Sequence, residues 1–206
     1  MQAITDLIMY FHKGGLVMWP LLACSITVIA IAIERFIYYK SVDSGAVFVS
    51  HYCAAVRSGD FAVATEWARK GSGQCAQMLA DVEAVAGGKA EKSAFLESRA
   101  GIFMATLRDK LDYLGIIVTM SPLLGLLGTI VGMIGAFSIF NVEAGAPMAI
   151  TGGIGEALIA TATGLCVAIL SLCAHSYFAH RMDNMITDME QCFSALLEAE
   201  TRRGRS

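Results

Sequence analysis

Tyr113-Leu-Gly-Ile-Ile-Val-Thr-Met-Ser-Pro-Leu-Leu-Gly-Leu-Leu-Gly-Thr-Ile-Val-Gly-Met-Ile-Gly-Ala-Phe-Ser-Ile-Phe-Asn-Val142 is a run of thirty residues without a charge. At ~1.5 Å rise per residue, a helix of that length exceeds the ~30 Å hydrocarbon thickness of a bilayer. Two further charge-free runs stand on either side: twenty residues from Gly14 to Ile33, and twenty-two from Ala157 to Phe178. Glu156 sits at the leading edge of the last run and His175 near its far end. No stretch shows strand-like alternation, so the expected class is all-α, an integral membrane protein with three transmembrane helices. Composition agrees: 56% of residues are apolar and 16% charged, with a mean hydropathy of +0.60, more apolar than an average soluble domain.

Lysine and arginine set the expected orientation. Of the fifteen basic residues, only Lys13 precedes the first span, ten lie between Arg35 and Lys110, none separates the second and third spans, and four follow the third. The positive-inside rule then places the middle loop and the C-terminal tail in the cytoplasm, with the N-terminus and the short second loop outside. Tyr10 and Trp19 at one end of span one, and Tyr38 and Tyr39 at the other, suit interfacial anchors. Leu21-Leu22-Ala23-Cys24 imitates a lipoprotein cleavage site. Yet the apolar run continues past Cys24, residues 1–11 lack a basic region, and Glu34-Arg35 closes the segment as a membrane boundary does, so retention is expected.

Ile4, Leu7, Ile8 and Phe11 recur at helical spacing, which predicts a short amphipathic helix in the outer interface. Breakers at Ser58-Gly59-Asp60, Gly71-Ser72-Gly73 and Gly87-Gly88 divide the middle loop into short helices. Beyond Gly88 no strong breaker appears before Pro122, so one helix is expected from near Lys89 into span two. Met182, Met185, Ile186, Met189, Phe193, Leu196 and Leu197 extend span three as an amphipathic tail to about Glu200, and the two long helices are expected to pair below the membrane. The expected division is an interfacial helix over 1–13, transmembrane helix 1 over 14–38, a helical loop over 39–112, transmembrane helix 2 over 113–141, a short outer loop over 142–152, transmembrane helix 3 over 153–178 and a helical tail over 179–206. The loop helices are too short for an independent core and should pack on the long helices and on neighbouring subunits.

Span two carries Gly125, Gly128, Gly132 and Gly135 along one helical face, and span three answers with Gly153, Ala157, Thr161, Gly164, Ala168 and Ser171. Such stripes let backbones approach closely, whether within one chain or between subunits. Thr129 lies near the middle of span two, and Thr161 and Thr163 near the middle of span three. A threonine can return its hydroxyl to its own backbone and mean nothing more. Glu156 is a stronger signal, because a carboxylate within a bilayer costs about 3 kcal/mol even on lenient scales and normally faces protein or water. The alternative places it just outside the interface, beside Gly152-Gly153 and Gly155. Glu156 and Thr163 share a helical face, whereas Thr161 points about 140° away at ~100° per residue, so one span serves two surfaces. His175 suits an interfacial histidine better than a proton relay.

Six cysteines form no CxxC pair and read as buried, unpaired thiols. Metal-ligand spacings, a nucleophile triad and a phosphate loop are all missing from the sequence, and Gly-Leu-Leu-Gly-Thr lacks the lysine a P-loop needs. An enzyme, a cofactor and a nucleic-acid partner are not expected.

Three segments resemble the MotA/TolQ/ExbB proton channel family, most closely its ExbB/TolQ branch: Met18-Trp-Pro-Leu-Leu22 with Ile33-Glu-Arg35; Leu124-Gly-Leu-Leu-Gly-Thr-Ile-Val-Gly-Met-Ile-Gly-Ala-Phe137; and Ile154-Gly-Glu-Ala-Leu-Ile-Ala-Thr-Ala-Thr-Gly-Leu165. With the Arg57-Ser-Gly-Asp60 turn, the likeness covers nearly the whole chain. The resemblance implies a bacterial inner-membrane homopentamer. Its spans two and three would line a pore holding a dimer of an ExbD/TolR-like single-span partner that carries an ionisable aspartate, with a TonB/TolA-like protein as a further partner. It also implies that Thr129 and Thr161 are pore threonines, that Glu156 is the outer glutamate, and that the transported ion is H+, with sodium as the alternative. Thr163 stands where relatives often have an apolar residue. Ala168-Ile-Leu-Ser171 replaces the usual Ala-Ile-Pro-Ala, so with Leu170 span three should be straighter. The extra spans and large insertion of flagellar stators are lacking. The expected function is the channel subunit of an ion-driven motor acting on a periplasmic partner, against a non-conducting scaffold as the rival.

Overall fold

The computed structural model describes the backbone of residues 14–142 and 147–203 and the side chains of residues 14–138 and 151–202. The interfacial helix expected over 1–13, with Tyr10 and Lys13, lies outside the described residues. Among those described there are six helices and no strand: α1 (Met18–Val42), α2 (Ala46–Ser58), α3 (Phe61–Lys70), α4 (Gln74–Val82), α5 (Lys89–Val142) and α6 (Pro147–Arg203). Three of them, α1, α5 and α6, are long and apolar enough to cross a membrane. The all-α, three-span class expected from the sequence is the one observed. Helix α6 already starts at Pro147, within the 142–152 stretch assigned to the outer loop.

Two compact units share these helices: a membrane unit, with the chain up to Ile33 and Leu111–Ser176, and a polar unit, with Glu34–Lys110 and Tyr177–Ser206. In the membrane unit, Pro20 falls in the first turn of α1, where its missing N–H costs no hydrogen bond. Val17, Met18 and Leu21 are buried in a cluster to which Leu124 adds a partly buried face. Helix α6 runs through Leu170 without a break, as α5 does through Pro122.

In the polar unit, the helices change at the predicted breakers. Gly59 takes the left-handed conformation (φ 82°) and closes α2, and Asp60 Oδ1 accepts from the Val63 N–H at 3.2 Å to start α3. At the head of α5, Glu91 accepts from the Gly88 N–H at 2.9 Å, half of a capping box. The tail's apolar stripe is used: Met182, Met185, Met189 and Leu196 are buried on α6, with Leu96, Phe103 and Leu107 buried on α5. Lys92 and Glu200 join the two helices at 2.7 Å.

Among the described residues of the polar unit, one guanidinium is buried. Arg35 is 4% exposed. Its Nη1 donates to the Thr106 carbonyl at 3.0 Å and to that of Leu107 at 3.5 Å, while Nε and Nη2 fork onto Glu34 at 2.9 and 3.0 Å. Tyr39 Oη donates to the same Leu107 carbonyl at 3.0 Å. Glu34-Arg35 is therefore more than a charged membrane boundary: the arginine ties α1 to the backbone of α5.

The cysteine expectation is corrected in part. All six are free, and Cys53, Cys75 and Cys192 are buried as expected, but Cys166 and Cys173 are exposed and Cys24 partly so. An apolar setting does not imply burial on a membrane helix, whose surface meets lipid or another subunit. Cys53 and Cys192 hold their sulfurs 3.9 Å apart, far beyond the ~2.05 Å of a disulfide. Burial pushes the Cys53 thiol up to about 11.

Two outcomes follow for the polar unit. Arg35→Met should lower stability by about 1.5–3 kcal/mol, the range for hydrogen bonds to a charged group. Arg35→Lys should recover less than half, because an ammonium cannot reproduce the planar fork; unfolding midpoints in detergent check both. Asp188 carries a carboxyl raised above its ordinary range, first by burial and then by the charge of Asp43. A raised folded-state value means the ionised form opposes folding, so any advantage of the protonated group is full at low pH and lost as pH rises through the folded value. Asp188→Asn should raise the unfolding midpoint at pH 7, with the gain shrinking as pH falls toward 3.8, the ordinary value of a free aspartate.

Candidate functional site: the seam of spans two and three

In the membrane unit the glycine stripe of α5 meets the small-residue stripe of α6 within one chain. A Cβ at Gly125 would lie 3.1 Å from the Thr161 Cα, one at Gly128 2.5 Å from the Ala160 Cβ, and one at Gly132 3.0 Å from the Gly153 carbonyl and 3.2 Å from the Ala157 Cβ. From the other side, a Cβ at Gly153 would meet the Ala136 Cβ at 2.6 Å, and one at Gly164 the Ser121 carbonyl at 2.5 Å and the Gly125 Cα at 3.1 Å. Ala157, which lies against Gly132, and Ala168 are both buried. Gly135 stands apart, since among the described residues a Cβ there would meet nothing within 4 Å.

Closest to the seam is Thr161. Its hydroxyl is shared between the Gly125 carbonyl across the seam and the Ala157 carbonyl of its own helix, each at 3.2 Å. Thr129 is half-buried and donates to the Leu126 carbonyl at 2.6 Å, while Thr163 donates to that of Ile159 at 2.9 Å. No hydrogen bond joins Thr129 to Thr161 among the described residues. All three hydroxyl protons are thus engaged by carbonyls, and what each threonine offers to water, a cation or a partner is its lone pairs.

Glu156 faces elsewhere. Its carboxylate lies against Gly15, where a Cβ would overlap Oε1 and come within 2.8 Å of Cδ. One turn along, Ile159 Cγ2 lies 3.3 Å from the position of a Cβ at Gly14. Span three therefore turns Glu156 and Ile159 toward the head of span one, and Ala157, Ala160, Thr161 and Gly164 toward span two. The ~100° step per residue dictates that division.

Three features of the membrane unit escaped the sequence reading. The Gly14-Gly15 pair looked like the plain start of an apolar run. Ser171, read only as a small residue, is wholly buried and donates to the Leu114 carbonyl at 2.9 Å. Ser121 is also wholly buried, and its hydroxyl has no hydrogen-bond partner among the described residues. It precedes Pro122, whose missing N–H leaves the Val118 carbonyl without its helical donor. His175 is half-buried, with its ring 3.8 Å from where a Cβ at Gly115 would sit.

The seam makes a paired expectation. Gly164→Ala drives a methyl into backbone that cannot yield and should cost about 1–3 kcal/mol, as overpacking does. Gly135→Ala has open space and a better helix former, so it should be neutral or stabilising by up to about 1 kcal/mol. Unfolding of both variants in mixed micelles checks this, and equal effects would contradict the assignment of the seam.

The sequence is similar to those of known proteins. The model of the MotA/TolQ/ExbB proton channel family matches residues 74–191, which include the whole seam. A biopolymer transport protein of Synechocystis sp., ExbB-like 1, is 34% identical over 170 residues, which are 79% of this chain and 66% of that protein, just under two thirds of its length. Biopolymer transport protein exbB1 of Vibrio cholerae is 27% identical over 85% of this chain and 80% of its own. The Tol-Pal system protein TolQ of Pseudomonas aeruginosa is 36% identical over a shorter stretch, 39% of this chain and 35% of its own. With three membrane helices, a glycine-bound seam and the family match over most of the chain, this protein belongs to the MotA/TolQ/ExbB proton channel family, on the side of its ExbB/TolQ branch.

Proposed function

We propose that this chain is the channel subunit of an ion-driven motor in the bacterial inner membrane, passing protons down the electrochemical gradient to do work on a partner that reaches into the periplasm. The observation that carries the reading is the placement of Thr161, a hydroxyl at mid-span on the backbone seam of a proton-channel family member, with Glu156 near the start of the same span. The membrane potential supplies about 2.3 kcal/mol per charge per 100 mV, enough to drive conformational work over a few charges.

In this reading the chain assembles as a homo-oligomer, a pentamer by family resemblance, around the helices of an ExbD/TolR-like dimer, with a TonB/TolA-like protein downstream. The charge pattern favours a periplasmic N-terminus and a cytoplasmic tail. Protons move between a partner aspartate and waters ordered by the lone pairs of Thr129 and Thr161. Glu156 shapes access on the outer, proton-rich side, and Thr163 takes a supporting place on the Glu156 face. Energised outer-membrane transport is the work that the biopolymer-transport names of the relatives suggest.

A second reading, a non-conducting scaffold, draws on the same threonines, because each already donates to a backbone carbonyl. Proton flux into vesicles carrying the chain and its partner separates the two. Thr129→Val with Thr161→Val should cut flux about tenfold or more, ~1.4 kcal/mol in barrier, at unchanged assembly. Unaltered flux would remove the threonines from the path, and flux that follows a sodium gradient would assign the other ion.

A further inference from the structure

We propose that the Gly14-Gly15 turn at the head of α1 is a receiving notch for the Glu156 carboxylate, and that Gly15 is a positioning residue holding that acid at the head of span one. The inference deepens the proposed role of Glu156 and rests on it only for its effect on ion flow.

Two independent demands fall on Gly15. Its φ is +71°, in the left-handed region that strains any residue with a Cβ. The space a Cβ would fill is also the space the carboxylate occupies, with Cδ 2.8 Å and Cγ 3.4 Å from that position. Gly14 is constrained as well, since a Cβ there would meet Met18 at 2.5 Å and Ile159 at 3.3 Å.

The notch is fixed by the turn that follows it. Met18 donates to the Gly15 carbonyl at 3.2 Å, Trp19 to that of Leu16 at 3.4 Å and Leu21 to that of Val17 at 3.3 Å. Val17, Met18 and Leu21 anchor the turn in the membrane unit, with Val17 3.7 Å from the position of a Cβ at Gly128. A carboxylate beside Gly15 also lies near the start of α1, the positive end of its helix dipole, which favours an anion. Packing, backbone conformation and field therefore agree on one place for the acid, on the opposite side of α6 from the contact that Thr161 makes with α5.

A wild-type measurement and a variant set test this. Magic-angle-spinning NMR of the full chain in lipid, with 13C-labelled glutamate and 15N-labelled glycine, should show a dipolar contact between the Glu156 side-chain carboxyl and the Gly14-Gly15 backbone, lost in Glu156→Gln. No such contact would overturn the proposal without any variant having to fold.

Gly15→Ala should shift the Glu156 carboxylate band in infrared difference spectra taken against Glu156→Gln, and lower proton flux by about tenfold or more, since misplacement of a reacting group by ~1 Å is that costly. Adding Glu156→Asp, one methylene shorter, should restore more than half of the flux, whereas adding Glu156→Gln should restore none. Gly45→Ala is the control for backbone strain alone, because Gly45 has φ +78° with nothing within 4 Å, and it should leave band and flux unchanged. An unshifted band in Gly15→Ala would overturn the notch. A shifted band together with full flux in Glu156→Gln would leave the notch standing and remove Glu156 from the ion path.

Discussion

Everything in the membrane unit depends on how near the backbones of spans two and three can come at Gly125 and Gly164. Between apolar helices in lipid there is no hydrophobic force to draw them together, so attraction comes from close packing and from hydrogen bonds that only short separation permits. Removing the Cβ at Gly125 and Gly164 provides that separation. The hydroxyl of Thr161 then reaches the Gly125 carbonyl on the other helix at 3.2 Å, and Ser171, nearly three turns further on, does the same with the carbonyl of Leu114 at 2.9 Å. Each of those carbonyls belongs to a helical ladder already, so the added bonds are second acceptances on oxygens with a spare lone pair. The seam is therefore tight and polar together, a combination that larger side chains would forbid.

Much of this was legible in the sequence because its signals are physical and local. Charge-free runs gave the spans, glycine breakers gave the ends of the loop helices, and the ~100° step assigned Glu156 and Thr161 to different faces of span three. What was not legible depends on partners far along the chain. Periodicity groups Gly135 with the other glycines of span two, yet no neighbour among the described residues lies within 4 Å of a Cβ placed there. The burial of Arg35 on the Thr106 and Leu107 carbonyls joins residues some seventy positions apart, and a charge at a membrane boundary gives no hint of it. The same holds for Gly15, whose importance comes from a carboxylate about 140 residues away.

Span three is the element in which these constraints meet. On one side it needs small residues at Ala157, Ala160 and Gly164 to reach span two, and on the other it presents Glu156 to the turn of span one. Any rotation of α6 about its axis would loosen both contacts at once. A helix held on two faces by glycine is a rigid one, and an ion-driven rearrangement is easier to build by moving such a helix as a body than by re-aiming one of its side chains.

That rigidity bears on how the threonines act. Thr129, Thr161 and Thr163 each spend their proton on a carbonyl within one turn, and Thr161 on a second one across the seam. A hydroxyl that donates in this way has only acceptor capacity left. It can fix the orientation of a water or bind a cation, but it cannot pass a proton onward without first releasing its carbonyl. For Thr161 that release would also break a bond between spans two and three, so proton transfer through this hydroxyl and movement of the seam would be one event. For Thr129, bonded only to Leu126 of its own helix, the two would be separate. Of Thr129 and Thr161, Thr161 is therefore the one whose hydroxyl is coupled to the packing of the two spans.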